Sequence, residues 1–136
     1  MVSPGSGRIH HLDLTVVELA RSTAFYDGVL ALLGFTRLAD CAEGPLWGGA
    51  GLEIGLQAAR VDGPVREHDR WTAGLHHLAF AANSPGEVDG VFDGLLGLGV
   101  TILDPPAAYP QYGPDYYALF FCDPDGIKLE VVFASA

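Results

Sequence analysis

The chain reads as an α+β protein in which one unit, strand–helix–three strands, is written twice. Three observations predict this. A His-His-Leu tripeptide opens an alternating apolar run at 10–12 and again at 76–78. Each run leads into an amphipathic helical stretch closed by a glycine, Gly34 in one copy and Gly99 in the other. A polar, aperiodic segment, residues 58–73, separates the copies. A repeat this long means two modules related by pseudo-symmetry. We read module 8–57, connector 58–73 and module 74–134 as parts of a single domain spanning 1–136.

The elements follow in order. Arg8–Val17 alternates, with Ile9, His11, Asp13 and Thr15 on one face and His10, Leu12, Leu14 and Val16 on the other. A helix over Leu19–Leu33 is predicted to bury Phe25, Val29, Leu32 and Leu33, with Tyr26 also in the core. Short strands are expected at Thr36–Asp40, Leu46–Gly48 and Leu52–Gln57, punctuated by glycines. The second copy opens with a strand over Leu75–Ala82. Ser84-Pro85-Gly86-Glu87 has the form of a capping box with proline at the first helical position. The helix it starts runs to about Leu98, with Val88, Val91, Phe92 and Leu95 inward. Strands near Val100–Leu103, Tyr116–Cys122 and Ile127–Phe133 complete it. Pro105, Pro106, Pro110 and Pro114 predict a long loop between the first two, and Asp123-Pro124-Asp125-Gly126 a tight turn between the last two.

Composition narrows the function classes. Hydrophobic residues make up 49% and charged residues 18%, which supports a packed core. The formal charge of −10, with only seven scattered Lys and Arg, argues against nucleic acid. No apolar run approaches the ~18 residues of a membrane helix, and MVSPGSGR lacks the apolar core of a secretory signal. The expectation is a soluble, cytoplasmic protein with no membrane partner. Cys41 and Cys122 lack a C-x-x-C spacing and read as reduced thiols.

The doubled histidines are the chemical signal. Alternation sends the two members of each pair to opposite faces. His77 shares its face with Ala79 and Ala81, and His11 shares its face with Asp13 and Thr15. Small or polar neighbours indicate a cavity face, whereas His10 and His76 read as strand-start residues bonded locally. In G-L-E-I-G-L (51–56), Leu52, Ile54 and Leu56 form the apolar face and Glu53 points away from it. In G-I-K-L-E-V-V-F (126–133), Lys128 and Glu130 point away likewise. Two His and one or two Glu on the cavity faces form a divalent-metal set. A metal also offsets the cost of burying a carboxylate. Any one of these residues alone reads as structural; the coincidence in both copies carries the signal.

The stretches I-H-H-L-D-L-T-V-V-E-L-A-R-S-T-A-F-Y (9–26), L-L-G-F (32–35), G-L-H-H-L-A-F (74–80) and F-F-C-D-P-D-G-I-K-L-E-V-V (120–132) resemble the vicinal oxygen chelate superfamily. Its members include glyoxalase I, the extradiol dioxygenases, and the fosfomycin- and bleomycin-resistance proteins. The resemblance spans nearly the whole chain and is specific for fold rather than reaction. It implies two βαβββ modules forming an open, cup-shaped mixed sheet, the glyoxalase-like fold. It also implies a homodimer and one divalent metal ion per site: nickel, zinc, iron(II) or manganese. Residue by residue, it implies His11, His77 and Glu130 as metal ligands and Glu53 as the fourth ligand of glyoxalase-like members. Glu130 or Glu53 would be the catalytic base.

The resemblance leaves three functional readings. The leading one is an isomerase or lyase acting on a vicinal-oxygen small molecule through a metal-stabilised enolate. The second is an extradiol-type dioxygenase with a two-His, one-Glu iron site. The third is a metal-free drug- or metabolite-binding protein of the bleomycin-resistance type. Thr15 stands where glutathione-dependent glyoxalase I typically has an arginine, which argues against glutathione. Extradiol enzymes usually add a further His and Tyr, and His68, Tyr109, Tyr112, Tyr116 and Tyr117 are the residues available to supply them. The Tyr-rich loop 107–117, together with Asp13 and His68, is the expected substrate pocket, with aromatic rings carrying polar tips.

Overall fold

The computed structural model describes residues 1–60 and 66–135; residues 61–65 of the expected connector, and residue 136, lie outside the described residues. The chain divides into two compact units, Met1–Asp62 and Gly63–Ala136. The first holds β1 (His11–Val16), α1 (Leu19–Leu32), β2 (Thr36–Arg37), β3 (Leu46–Gly49) and β4 (Leu52–Ala58). The second holds β5 (His77–Ala81), α2 (Pro85–Gly97), β6 (Thr101–Ala108), β7 (Tyr117–Cys122) and β8 (Lys128–Phe133). The sheet orders are β1-β4-β3-β2 and β5-β8-β7-β6. In each unit the first and last strands run parallel and the remaining pairs antiparallel. The repeat read from the sequence is therefore a repeat of topology.

In the first unit the core is apolar around one anchored ring. Ser22, Tyr26, Val29 and Leu30 are the buried residues of α1. Tyr26 and Val29 are inside as expected, but the helix is rotated from the rest of the expected stripe: Leu32 is exposed, and Phe25 and Leu33 are only half-buried. Trp47 on β3 is fully buried, and its Nε1 donates to Asp27 Oδ1 at 2.9 Å. Arg37 Nη1 donates to both oxygens of Asp27, at 3.0 and 3.1 Å, and its guanidinium lies 5.3 Å from the Trp47 ring centre. The β2 strand ends at Arg37, shorter than expected.

In the second unit the capping box forms. Ser84 Oγ accepts from Glu87 N at 3.1 Å, and Glu87 Oε2 accepts from Asn83 N at 2.7 Å. Val88, Val91 and Leu95 of α2 are buried, and Phe92 is half-buried. The β6 strand corrects one expectation, because it runs through Pro105 and Pro106, where a loop was predicted. It is an edge strand, where proline is tolerated because only one side has to be paired. Its pairing with β7 shifts register between Ile102 and Asp104 and again between Asp104 and Ala107, which takes up the prolines.

The turn before β8 is held by one carboxylate. Asp123 Oδ1 accepts from Asp125 N and Ile127 N, both at 2.8 Å, in a buried setting. This closes the turn and sets the phase in which β8 starts. That phase decides which side of the sheet Glu130 occupies.

Candidate functional site

The second unit gathers the predicted residues most clearly. Parallel pairing sets His77 opposite Lys128 and Ala79 opposite Glu130. All four share a face, so His77 and Glu130 stand diagonally across one strand boundary. His77 Nε2 lies 3.0 Å from Glu130 Oε1. The other oxygen of Glu130, Oε2, accepts a short hydrogen bond from the Tyr116 hydroxyl. Glu130 is only 2% exposed, and these two partners are what make a buried carboxylate tolerable. Burial, and then the bond to Glu130, raises the Tyr116 phenol well above its ordinary value, so Tyr116 acts as a donor. Burial also raises Tyr109, helped by Asp104 and Glu130.

His77, Glu130 and Tyr116 line a cavity of about 370 Å³ together with His76, Tyr112, Phe120 and Lys128. Its walls are aromatic. Tyr112 stacks on Tyr109 at 5.9 Å, and Tyr109 meets Phe120 edge-on at 5.5 Å. Lys128 Nζ sits 4.5 Å above the Phe120 ring. Lys128 and Phe120 were not among the residues expected to line the site. The signal for Lys128 was its parity with Glu130. Phe120 was hidden among the apolar residues of its strand. His68 is not part of this lining: its Nε2 donates to the Leu75 carbonyl at 2.7 Å and so secures the segment before β5. The Tyr117 hydroxyl goes to Asp89 on α2 instead.

The doubled histidines have one geometry in both units. His76 Nδ1 is 2.7 Å from His77 Nδ1, and His10 Nδ1 is 3.0 Å from His11 Nδ1. The first ring of each pair therefore occupies Nδ1 of the second and leaves its Nε2 to the site. A metal-ligating imidazole needs this arrangement, because a partner on one nitrogen fixes ring and tautomer for the other. In the second unit the Trp71 ring meets His76 edge-on at 4.8 Å and buttresses it in turn.

In the first unit the register sets His11 opposite Glu53 and Asp13 opposite Gly55. His11 Nε2 lies 4.0 Å from Asp13 Oδ2, and both side chains are exposed. Glu53 is half-buried beside His11. Among the described residues, no group of three or more His, Cys, Asp or Glu is assembled within metal-binding reach. The donor pair in the second unit nevertheless fits an ion. Two ligand atoms about 2.1 Å from one metal and at right angles stand about 3.0 Å apart, the separation found between His77 and Glu130.

Comparison with known proteins agrees with this fold. The family model described as "Glyoxalase/Bleomycin resistance protein/Dioxygenase superfamily" matches residues 8–131. The uncharacterized protein YqjT of Bacillus subtilis (strain 168) is 32% identical over 127 residues, covering 93% of this chain and 99% of that protein. A crystal structure from Bacillus halodurans superposes with a TM-score of 0.80 at 30% identity, covering 95% of this chain and 97% of that one. A glyoxylase/bleomycin resistance protein/dioxygenase domain from Frankia sp. EAN1pec gives a TM-score of 0.76 at 25% identity, over 93% and 97% of the two chains. With its duplicated βαβββ units and a family match over nearly its whole length, the chain belongs to the glyoxalase/bleomycin resistance protein/dioxygenase superfamily.

Proposed function

We propose that the protein is a divalent-metal enzyme acting on a small oxygenated molecule, with His11, His77 and Glu130 as metal ligands and a first-unit carboxylate as a fourth. The observation that carries this reading is the His77–Glu130 pair at 3.0 Å, set in a cavity with tyrosine and phenylalanine walls. A bound ion would supply Lewis-acid stabilisation of charge developing on substrate oxygens. The rest is the work of the chain. His76 and His10 orient the ligating rings. Tyr116 holds one oxygen of Glu130 and turns the other toward His77. Tyr112 and Phe120 offer faces to a flat or apolar part of the substrate, and Lys128 offers a cation to an anionic part.

Both Glu130 oxygens have partners, so Glu130 is a poor proton carrier. The base of an isomerase or lyase therefore falls to the first unit, where Glu53 and Asp13 are accessible. The second reading is an extradiol-type dioxygenase. It is favoured by Gly55, which stands opposite Asp13 just as Glu130 stands opposite Ala79 and so leaves that strand position without a carboxylate. We take the protein to be a cytoplasmic homodimer; among the described residues no helix is long and apolar enough to cross a membrane.

The test is elemental analysis of protein purified without added metal or chelator, repeated after dialysis against nickel, zinc, manganese and anaerobic iron(II). About one ion per chain is expected. Iron would direct the substrate screen to catechol-type ring cleavage, and nickel or zinc to isomerisation and lyase chemistry. No ion under any condition would overturn the enzyme reading and leave a small-molecule binding protein.

A further inference from the structure

We propose that Asp13, on β1, is the metal-ligating carboxylate of the first unit, in the role that Glu130 plays from β8 in the second. This deepens the metal-enzyme reading and rests on it. His11 pairs with Glu53 and His77 with Lys128; two residues further on, Asp13 pairs with Gly55 and Ala79 with Glu130. The units therefore correspond as His11 to His77, Asp13 to Ala79, Glu53 to Lys128 and Gly55 to Glu130. The acid and the small residue have exchanged strands. In the second unit the first strand carries alanine and the last strand the acid. In the first unit the first strand carries the acid and the last strand glycine.

The space at Gly55 shows that the exchange is a packing relation. A Cβ added at Gly55 would lie 2.5 Å from Asp13 Oδ1, so the Asp13 carboxylate would have to move aside. Gly55 has an ordinary backbone conformation and is absent from the positive-φ glycines, so it is there for room and not for φ. The room it leaves is taken by the Asp13 carboxylate. The other oxygen of that carboxylate, Oδ2, faces His11 Nε2 at 4.0 Å, the nitrogen that His10 leaves free. The first unit thus presents an imidazole Nε2 and a carboxylate on one face, as the second does with His77 and Glu130. Glu53, by correspondence, holds the position of Lys128, which reaches over the Phe120 ring.

The experiment is a cobalt(II) titration of the full chain, followed by calorimetry and by the visible ligand-field spectrum. It compares wild type with Asp13→Asn, Asp13→Ala, Glu53→Gln, Gly55→Ala and the double variant Asp13→Ala/Gly55→Glu. Asp13→Asn keeps the shape of the side chain and is expected to weaken cobalt by at least ~10-fold and to alter the spectrum. Glu53→Gln should stay within ~3-fold of wild type. Gly55→Ala should weaken binding with Asp13 still in place, because the new methyl displaces the carboxylate. The double variant returns the acid to the last strand and should recover affinity relative to Asp13→Ala alone, a gain that no loss of folding can imitate. Wild-type affinity in Asp13→Asn, or a loss confined to Glu53→Gln, would overturn the assignment while leaving the metal site standing. A wild-type protein that takes up no cobalt, nickel, zinc or iron(II) would overturn the metal reading itself and this inference with it.

Discussion

A His77→Ala protein is expected to fold as the wild type does and to lose divalent-metal affinity by on the order of 10²-fold or more. The size follows from the strength of such sites. Four protein ligands together are worth about 10–16 kcal/mol, so one ligand is worth roughly 3 kcal/mol. The fold survives because His77 sits at the start of β5 and is about one-third exposed. The strand is held by Phe80 and by pairing with β8. The truncation also removes the 3.0 Å partner of Glu130, leaving a buried carboxylate that accepts from the Tyr116 hydroxyl. A modest loss of stability is therefore expected alongside the metal effect. Calorimetric titration with zinc, paired with a far-ultraviolet circular dichroism melt, separates the two. Unchanged affinity in a folded variant would remove His77 from the site.

Trp47→Ala should destabilise the first unit by about 3–5 kcal/mol, a large share of the ~5–15 kcal/mol that holds an ordinary domain together. Two losses combine. The indole is fully buried beside Tyr26, with ring centres 6.2 Å apart, and its removal leaves a cavity in a close-packed core. Its Nε1–H also supports Asp27, which receives both Arg37 contacts. Trp47→Phe keeps most of the volume and gives up the hydrogen bond, so it should cost less, about 1–2 kcal/mol. Urea unfolding followed by circular dichroism measures both. Equal midpoints for wild type and Trp47→Ala would show that the ring is not a support of this unit.

Much of this was legible in the sequence, for stated reasons. Period-2 and period-3.6 patterns placed the helices, and the twice-written His-His-Leu marked the repeat. Parity alone put His77 and Glu130 on one face, because side chains alternate along a strand whatever the register. What parity cannot give is the register between strands. Glu53 and Gly55 share a parity, so the sequence offered no way to tell which stands opposite Asp13. Only the hydrogen-bond ladder decides that, and it sets Gly55 there. The prolines of β6 misled for a related reason, since Pro105 and Pro106 stop an interior strand but not an edge. The rotation of α1 was obscured because apolar residues surround the helix and Ser22 joins its buried side.

The histidine contacts have a consequence in proton counting. Two imidazole nitrogens 2.7 Å apart can share one hydrogen but cannot both carry one. His76 is lowered from its ordinary value by partial desolvation, then by His77, Lys128 and Arg70. A base whose proton is held less well in the folded state favours folding above its ordinary titration range, and that advantage is lost as pH falls through it. His76 therefore stays neutral further into acid than a free imidazole does. While His76 is neutral, the two rings hold that single hydrogen between them, and the orientation that His76 gives the His77 ring is kept.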